Sequence, residues 1–415
     1  MSDRTIDLHA ASRWSISVQA LLFPHCVQRI AWFVGFLGAC GGGGGGSGDS
    51  GVGDAGRDAP ADAAVASCPT PTEVPTPPEA ELVVAGDVGS TLGIFDPSIV
   101  YPADAAAGAM AYSAVPDQET IRTRIAVSTN AGQSWTYAAE ANVPEPLSIT
   151  STDTTECPGG TCTGKLVSEV SSLIYDADDP DAGRRWKLFA HRYLVGPEVA
   201  LHYRIGTITV QTAGQPQGPW TAPQKMIGWN GPTTYSSSGV PTSTSTLTGM
   251  ADCIALTEPG AMWLPGSIQL AVGCVYVDGT PKIRIELLRS TDHATSWIAA
   301  GTLVSPADAD CLTPGASVNA AELFALDGQV YVSASPSNNA GYHGCLVFPV
   351  DDLSTATLRR DAAGKAFVTR AIVPSPTRFA GACTYAAGAG GYAMIVGYLD
   401  QARRFRIFRT GVAAP

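Results

Sequence analysis

From residue 81 onward, apolar and polar residues alternate in short runs broken by Gly, Pro, Asn, Asp and Ser. That two-residue period is the signature of half-buried strands, and no long stretch carries the 3.6-residue period of a helix. The runs fall into groups that recur about every 65 residues, the behaviour of four-stranded propeller blades. The first group is Ser98–Tyr101, Gly108–Val115, Arg124–Thr129 and a run from Trp135; the second is Val170–Asp176, Trp186–Val195, Gly206–Thr212 and a run from Trp220. The third is Ala261–Leu264, Ile268–Val277, Ile283–Ser290 and Trp297–Val304. The fourth is Ala321–Leu326, Val330–Ser335, Cys345–Val350 and Ala366–Val373, and the fifth, Ala382–Ala386, Tyr392–Leu399 and Phe405–Thr410, is one strand short. Glu81–Ala85, ahead of the first group, is the candidate to complete the fifth and close a ring without an open sheet edge. The expectation is an all-β, five-bladed β-propeller of four-stranded antiparallel blades. Six blades are the alternative, because the Ser/Thr/Gly-rich segment 230–249, read as a long loop at a pocket rim, has room for a short strand.

Two eight-residue turns fix the register. Ser128-Thr129-Asn130-Ala131-Gly132-Gln133-Ser134-Trp135 and Ser290-Thr291-Asp292-His293-Ala294-Thr295-Ser296-Trp297 each follow an alternating strand and end in a Trp that opens another. An Asn or Asp there accepts hydrogen bonds from its own turn, and the Trp has a ring to bury between sheets. The pattern resembles the Asp-box of sialidase-type propellers, S-x-D-x-G-x-x-W, with Asn130 in place of Asp in one copy and Ala294 in place of Gly in the other. Gly218-Pro219-Trp220 occupies the equivalent place in the second group.

In a propeller the first strand of each blade lines a central channel, so polar residues at their starts converge. Asp96 in Phe95-Asp96-Pro97-Ser98 and Glu258 in Thr257-Glu258-Pro259-Gly260 are each an acid followed by Pro, just ahead of an inner strand. Glu169 is the nearest acid in the second blade, one residue out of register; Asn319 or Glu322 serves the fourth and Arg378 the fifth. Trp263, Trp220, Trp229 and Tyr235 are candidates to stack on sugar rings, although inter-blade packing is the commoner use of such aromatics. His191, His202 and His343 stand apart from one another.

This arrangement resembles five-bladed glycosidases of the arabinanase and β-xylosidase type, glycoside hydrolase family 43 and its relatives. The resemblance implies a surface-anchored hydrolase acting on a polysaccharide, with Asp96 at the position of the base and Glu258 at that of the general acid. The Asp that tunes the acid in that family has no clean counterpart, since Glu169 is off by one and Ser172 is uncharged. Two carboxyls of unlike proton affinity are what glycoside hydrolysis needs. A propeller that binds glycan or protein without turnover is the alternative. Sialidase is a minor one, because three Arg and an early Arg-Ile-Pro motif are wanted and Arg124, Arg284 and Arg289 fall on third strands.

Composition narrows the partners. Only 15% of residues are charged, and the net charge of −12 argues against nucleic acid or anionic lipid headgroups. Residues 1–39 read as a lipoprotein signal peptide: an apolar run from Ile30 to Ala39 behind Arg29, closing in Leu37-Gly38-Ala39-Cys40, resembles a bacterial lipobox with Cys40 as the lipidated residue. Residues 40–80, beginning with six glycines after Cys40, read as a disordered tether, and 81–415 as the propeller. The protein is therefore expected as an exported bacterial lipoprotein of the outer membrane or cell surface. It is expected to be a monomer that touches the membrane only through that anchor, with a carbohydrate substrate or ligand. No cofactor or metal is expected, since CxxC spacing is absent and the six His do not cluster. Eight Cys in an exported body suggest disulfides, Cys157–Cys162 most locally, Cys253–Cys274 between neighbouring strands, and Cys68 with Cys383 as a long-range tie. In a lipidating bacterial host, Cys40→Ser is expected to move the protein from the membrane to the soluble fraction on centrifugation; a variant that stays with the membrane would discard the lipid anchor.

Overall fold

The computed structural model describes residues 68–74, 81–102, 107–117, 120–150, 157, 159–196, 206–229, 239–338, 341–374, 379–386, 393–399, 404–413 and 415. Its strands form five sheets in chain order. The innermost strands are Ile94–Val100, Thr161–Tyr175, Ala255–Leu264, Ser317–Leu326 and Phe379–Ala386. Each packs against the next, and the fifth returns to the first, so the blades ring one axis. The chain is a five-bladed β-propeller.

Apolar side chains on opposite faces of neighbouring blades supply the core. Ala109, Ala111 and Ile125 of blade 1 meet Leu173, Trp186 and Leu188 of blade 2, and equivalent clusters fill the other interfaces. The three Trp that follow the hairpin turns occupy matching places. Trp135 lies between blades 5 and 1, Trp220 between 1 and 2, and Trp297 between 2 and 3. Both eight-residue turns use the same bonds: Ser128 Oγ accepts from Gly132 N at 2.8 Å and Asn130 Oδ1 from Ser134 N at 3.0 Å, while Ser290 Oγ accepts from Ala294 N at 3.0 Å and Asp292 Oδ1 from Ser296 N at 2.8 Å.

The chain departs from the pattern-based expectation in four places. Every inner strand begins earlier than its apolar run, so Asp96 and Glu258 lie within strands and not ahead of them. Pro97 and Pro259 are tolerated there because they fall in bulges, where no ladder N–H is needed. Glu81–Ala85 is shared between two blades: Leu82 N donates to Ile407 O of blade 5 at 2.8 Å, whereas Val84 and Ala85 pair in parallel with Trp135 and Thr136 on the outer edge of blade 1. The ring is thus stitched across the blade 5/blade 1 seam. The described part of segment 230–249, residues 239–249, holds a two-residue strand, Thr242–Ser243, parallel to the edge of blade 2, and the described strands form five sheets. Finally, Cys68 pairs with Cys311 and Cys383 with Cys345, in place of the Cys68–Cys383 tie. Thr72–Val74 adds to the outer strand of blade 4, and Cys383 is taken up by Cys345 on the strand beside it. Cys157–Cys162 and Cys253–Cys274 form as the spacing suggested.

Ala294 holds φ 70 at the place where the first turn has Gly132. A left-handed alanine costs about 1–2 kcal/mol. Ala294→Gly is expected to raise the melting temperature by about 1–3 °C, measured by differential scanning calorimetry; a lower value would show that the alanine methyl contributes more to packing than its backbone strain costs.

Candidate active site

A β-bulge interrupts each inner strand at one height along the axis. Register shifts fall between Phe95 and Ser98, Glu169 and Ser172, Thr257 and Gly260, Asn319 and Glu322, and Gly381 and Thr384. The residue after the first of each pair has a left-handed backbone: Asp96 (φ 50), Val170 (46), Glu258 (45), Ala320 (49) and Ala382 (54). None is glycine. Left-handed non-glycine residues are rare, and for a β-branched residue such as Val170 the conformation is an outlier. Five of them on one ring report a shared packing demand, and strained residues of this kind cluster at functional sites. The space is tight: a Cβ on Gly260 would lie 1.9 Å from the carbonyl oxygen of Ala321 in the next blade.

The bulges bring four acids to the axis. Asp96 and Glu258 occupy the same bulge position in blades 1 and 3. Glu169 stands one residue earlier, at the level of Phe95, as its spacing indicated, yet its carboxyl joins theirs: its charge acts on both Asp96 and Glu258. All three are 6–7% exposed. Asp96 accepts from the Ser113 hydroxyl, which in turn accepts from Val170 N at 3.3 Å. Tyr193 Oη donates to Glu169 at 2.7 Å, and Tyr342 Oη lies 2.6 Å from both oxygens of Glu258, which also accepts from the Ala320 N–H. Asp96 Oδ2 and Glu169 Oε2 are buried with no hydrogen-bond partner.

Glu322 lies two residues beyond the bulge position of blade 4 and reaches across the axis. Ser98 Oγ donates to one of its oxygens at 2.6 Å and Ser172 Oγ to the other at 3.1 Å. Those hydroxyls accept from Leu173 N and Ala261 N at 3.0 and 2.7 Å. One carboxyl therefore links blades 1, 2 and 4 directly and blade 3 through Ser172. Glu322 also lines an axial cavity of about 20 Å3 that every blade reaches, through Asp96, Ser171, Pro259, Ala320 and Cys383 among others. That is space for about one water molecule.

Desolvation dominates the electrostatics. Burial pushes Glu169 up to about 7, with Tyr193 opposing, and Glu258 up to about 8, with Tyr342 opposing and Glu169 adding. Burial raises Glu322 to about 8 against its two serine bonds. Asp96 is held well above the usual carboxylate range by burial and then by Glu169 and Glu258. The three neighbouring acids titrate as a coupled set.

The remaining candidates are placed elsewhere. Trp263 stands at the far end of its inner strand, about 16 Å along from Glu258, packed in the interface between blades 2 and 3. Asn319 is buried and accepts from Thr257 Oγ1 at 3.0 Å, joining blades 3 and 4. Trp220 packs between blades, and Trp229 against the Cys157–Cys162 hairpin. Arg378, Tyr235, His202 and Cys40 lie outside the described residues. Arg124 and Arg284 are engaged at the periphery, with Asp87 and Glu140, and with Asp252 and Glu286. His191 is buried and held neutral, its pKa lowered by burial to about 3. Tyr342 and Tyr193 carry no sequence signal of their own; only a tyrosine in a short Gly-flanked stretch, Gly341-Tyr342-His343-Gly344, hinted at the first.

No protein family matches this chain by sequence pattern, and no curated protein matches it by sequence. Among solved structures, it is similar to an endo-arabinase from Bacteroides thetaiotaomicron VPI-5482 (11% identity, 80% of this chain and 98% of that one, TM-score 0.47). It is also similar to the catalytic domain of the Coprinopsis cinerea GH62 α-L-arabinofuranosidase (12% identity, 81% and 96%, TM-score 0.45). A family 117 glycoside hydrolase from the marine bacterium Zobellia galactanivorans matches at 11% identity, 80% and 89% coverage and TM-score 0.45.

The raised carboxyls have a consequence for stability. A carboxyl whose pKa is higher folded than unfolded binds more protons in the folded state, so its contribution is intact below about 4.5 and is lost as pH rises through the folded values near 7 and 8. The melting temperature is expected to fall between pH 5 and pH 8.5, and Glu322→Gln, which cannot ionise, to flatten part of that slope. A slope unchanged by Glu322→Gln would contradict the assignment.

Proposed function

We propose that the chain is a glycoside hydrolase that cleaves a neutral polysaccharide at the axial carboxyl cluster, exported and held at the bacterial surface through Cys40. The observation that carries this reading is the placement of two acids, Asp96 and Glu258, at equivalent strained bulges in blades 1 and 3, with Glu169 coupled to both. Glu258, protonated up to about 8, suits the general acid that protonates the departing sugar oxygen. Asp96 and Glu169, each offering a buried oxygen without a partner, act as the base pair. One negative charge shared between them activates a water on the other side of the sugar ring or attacks the anomeric carbon, depending on their separation from Glu258. No arginine approaches the cluster among the described residues, which supports a neutral sugar over an acidic one.

A second reading, a propeller that binds glycan without turnover, is favoured by one feature. The axial cavity has room for about one water and is lined by Asp96 and Glu322 but not by Glu169 or Glu258, too little space for a sugar ring among the acids. On panels of arabinan, xylan and aryl glycosides, the hydrolase reading expects activity that falls about 10²–10⁴-fold in Glu258→Gln. It also expects a bell-shaped pH profile for kcat/KM with its maximum between about 7 and 8, the values of Glu169 and Glu258. Unchanged turnover in Glu258→Gln would discard the assignment, whereas glycan binding without turnover in the wild type would select the second reading.

A further inference from the structure

Tyr342 belongs to blade 4 but serves blade 3. The chain leaves the strand Gln329–Asn338 and pairs Gly341 and Tyr342 with Asn338 and Ser337. It then bridges to blade 5, where His343 pairs with Ala380 and Gly344 N donates to Ala380 O at 2.9 Å, before entering the strand Cys345–Asp352. Gly341 (φ 120) and Gly344 (φ 99) provide the two backbone conformations this excursion needs. The ring of Tyr342 then lies over Gly381, where a Cβ would stand 2.5 Å from it, so the inner strand of blade 5 is bare at the point where the phenol crosses. The hydroxyl arrives 2.6 Å from both carboxyl oxygens of Glu258, on the inner strand of the neighbouring blade 3.

We propose that Tyr342 is the positioning residue of this site: its hydroxyl holds the Glu258 carboxyl in one orientation and stabilises the carboxylate left when the proton is given up. It would fill the tuning role for which the second blade offers no residue in register. The inference rests on the reading of Glu258 as the acid. A phenol suits the task because it donates one strong hydrogen bond to a carboxylate yet adds no charge to a site already crowded with acids. Among the described residues Glu258 faces Asp96, Glu169, Tyr342 and the Ala320 N–H, and the charges that act on Tyr342 include Glu258, Asp96 and Glu169. Each of these carboxylates, when charged, disfavours ionisation of the phenol, which therefore stays a donor. The Tyr342 bond lowers the proton affinity of Glu258 against the effect of burial. Its loss therefore raises the pH at which Glu258 ionises.

Tyr342→Phe removes one oxygen and keeps the ring that packs on Gly381. The experiment titrates the full-length protein by infrared spectroscopy, isolating the Glu258 carboxyl band by difference from the matched Glu258→Gln variants. The Glu258 midpoint is expected to rise by about one pH unit in Tyr342→Phe, and to move less in Tyr193→Phe, whose hydroxyl bonds Glu169. This measurement needs no turnover, so it is independent of whether the hydrolase reading holds. Where turnover is measurable, kcat is expected to fall about ten- to a hundredfold, with the basic limb of the pH profile displaced upward and KM little changed. A Glu258 midpoint that stays in place, or a loss of kcat without displacement of the basic limb, would overturn the proposal and leave Tyr342 as packing.

Discussion

The five inner strands meet on one axis so closely that none runs as a regular pleated ribbon. In this chain each strand yields at the same height by a bulge whose central residue turns left-handed, and the neighbouring blade fills the space so closely that Gly260 has no room for a Cβ. The same kink redirects side chains toward the axis. Where the bulge residue is Val170, Ala320 or Ala382 the result is packing; where it is Asp96 or Glu258 the result is a carboxyl forced into a nearly dry centre. The architecture and the chemistry therefore have a common origin in that crowding.

Burial then does what no charge partner does. There is no cation beside the cluster among the described residues, and its acids are held by hydroxyls from Ser113, Tyr193, Tyr342, Ser98 and Ser172. Hydroxyl donors satisfy lone pairs without neutralising charge, so proton affinities stay high, the acids remain close to neutrality, and small differences in hydrogen bonding decide which ionises first. Glu322 is the structural member of this group. Its carboxyl joins blades across the axis, whereas the unsatisfied oxygens of Asp96 and Glu169 are left for something else to use.

Much of this was legible in the sequence, and the rest has identifiable physical reasons for being hidden. Alternating runs located the second and third strands of every blade, because each packs against neighbouring blades. The acid-Pro pairs at 96–97 and 258–259 marked two of the five bulges, and the offset of Glu169 by one residue is present in the structure as a real difference in position. The other bulges were invisible because their residues, Val170, Ala320 and Ala382, have no preference for a left-handed backbone; tertiary packing imposes it. Pro97 and Pro259 were read as lying ahead of the inner strands, whereas both sit inside them. Tyr342 was not found because its role depends on blades 3, 4 and 5 meeting, and the Cys68–Cys311 pairing because it follows from where Thr72–Val74 adds to blade 4. Contacts of that range leave no local pattern.

The proposed hydrolysis requires the axial carboxyls to meet the scissile bond of a sugar. Its most direct test is a crystal structure of the inactive Glu258→Gln protein soaked with arabino- and xylo-oligosaccharides. A glycosidic oxygen within about 3 Å of the residue 258 side chain, with Asp96 and Glu169 on the opposite side of the ring, is the result the account predicts. Sugar bound only on the outer faces of the blades, with the channel mouth empty, would contradict it.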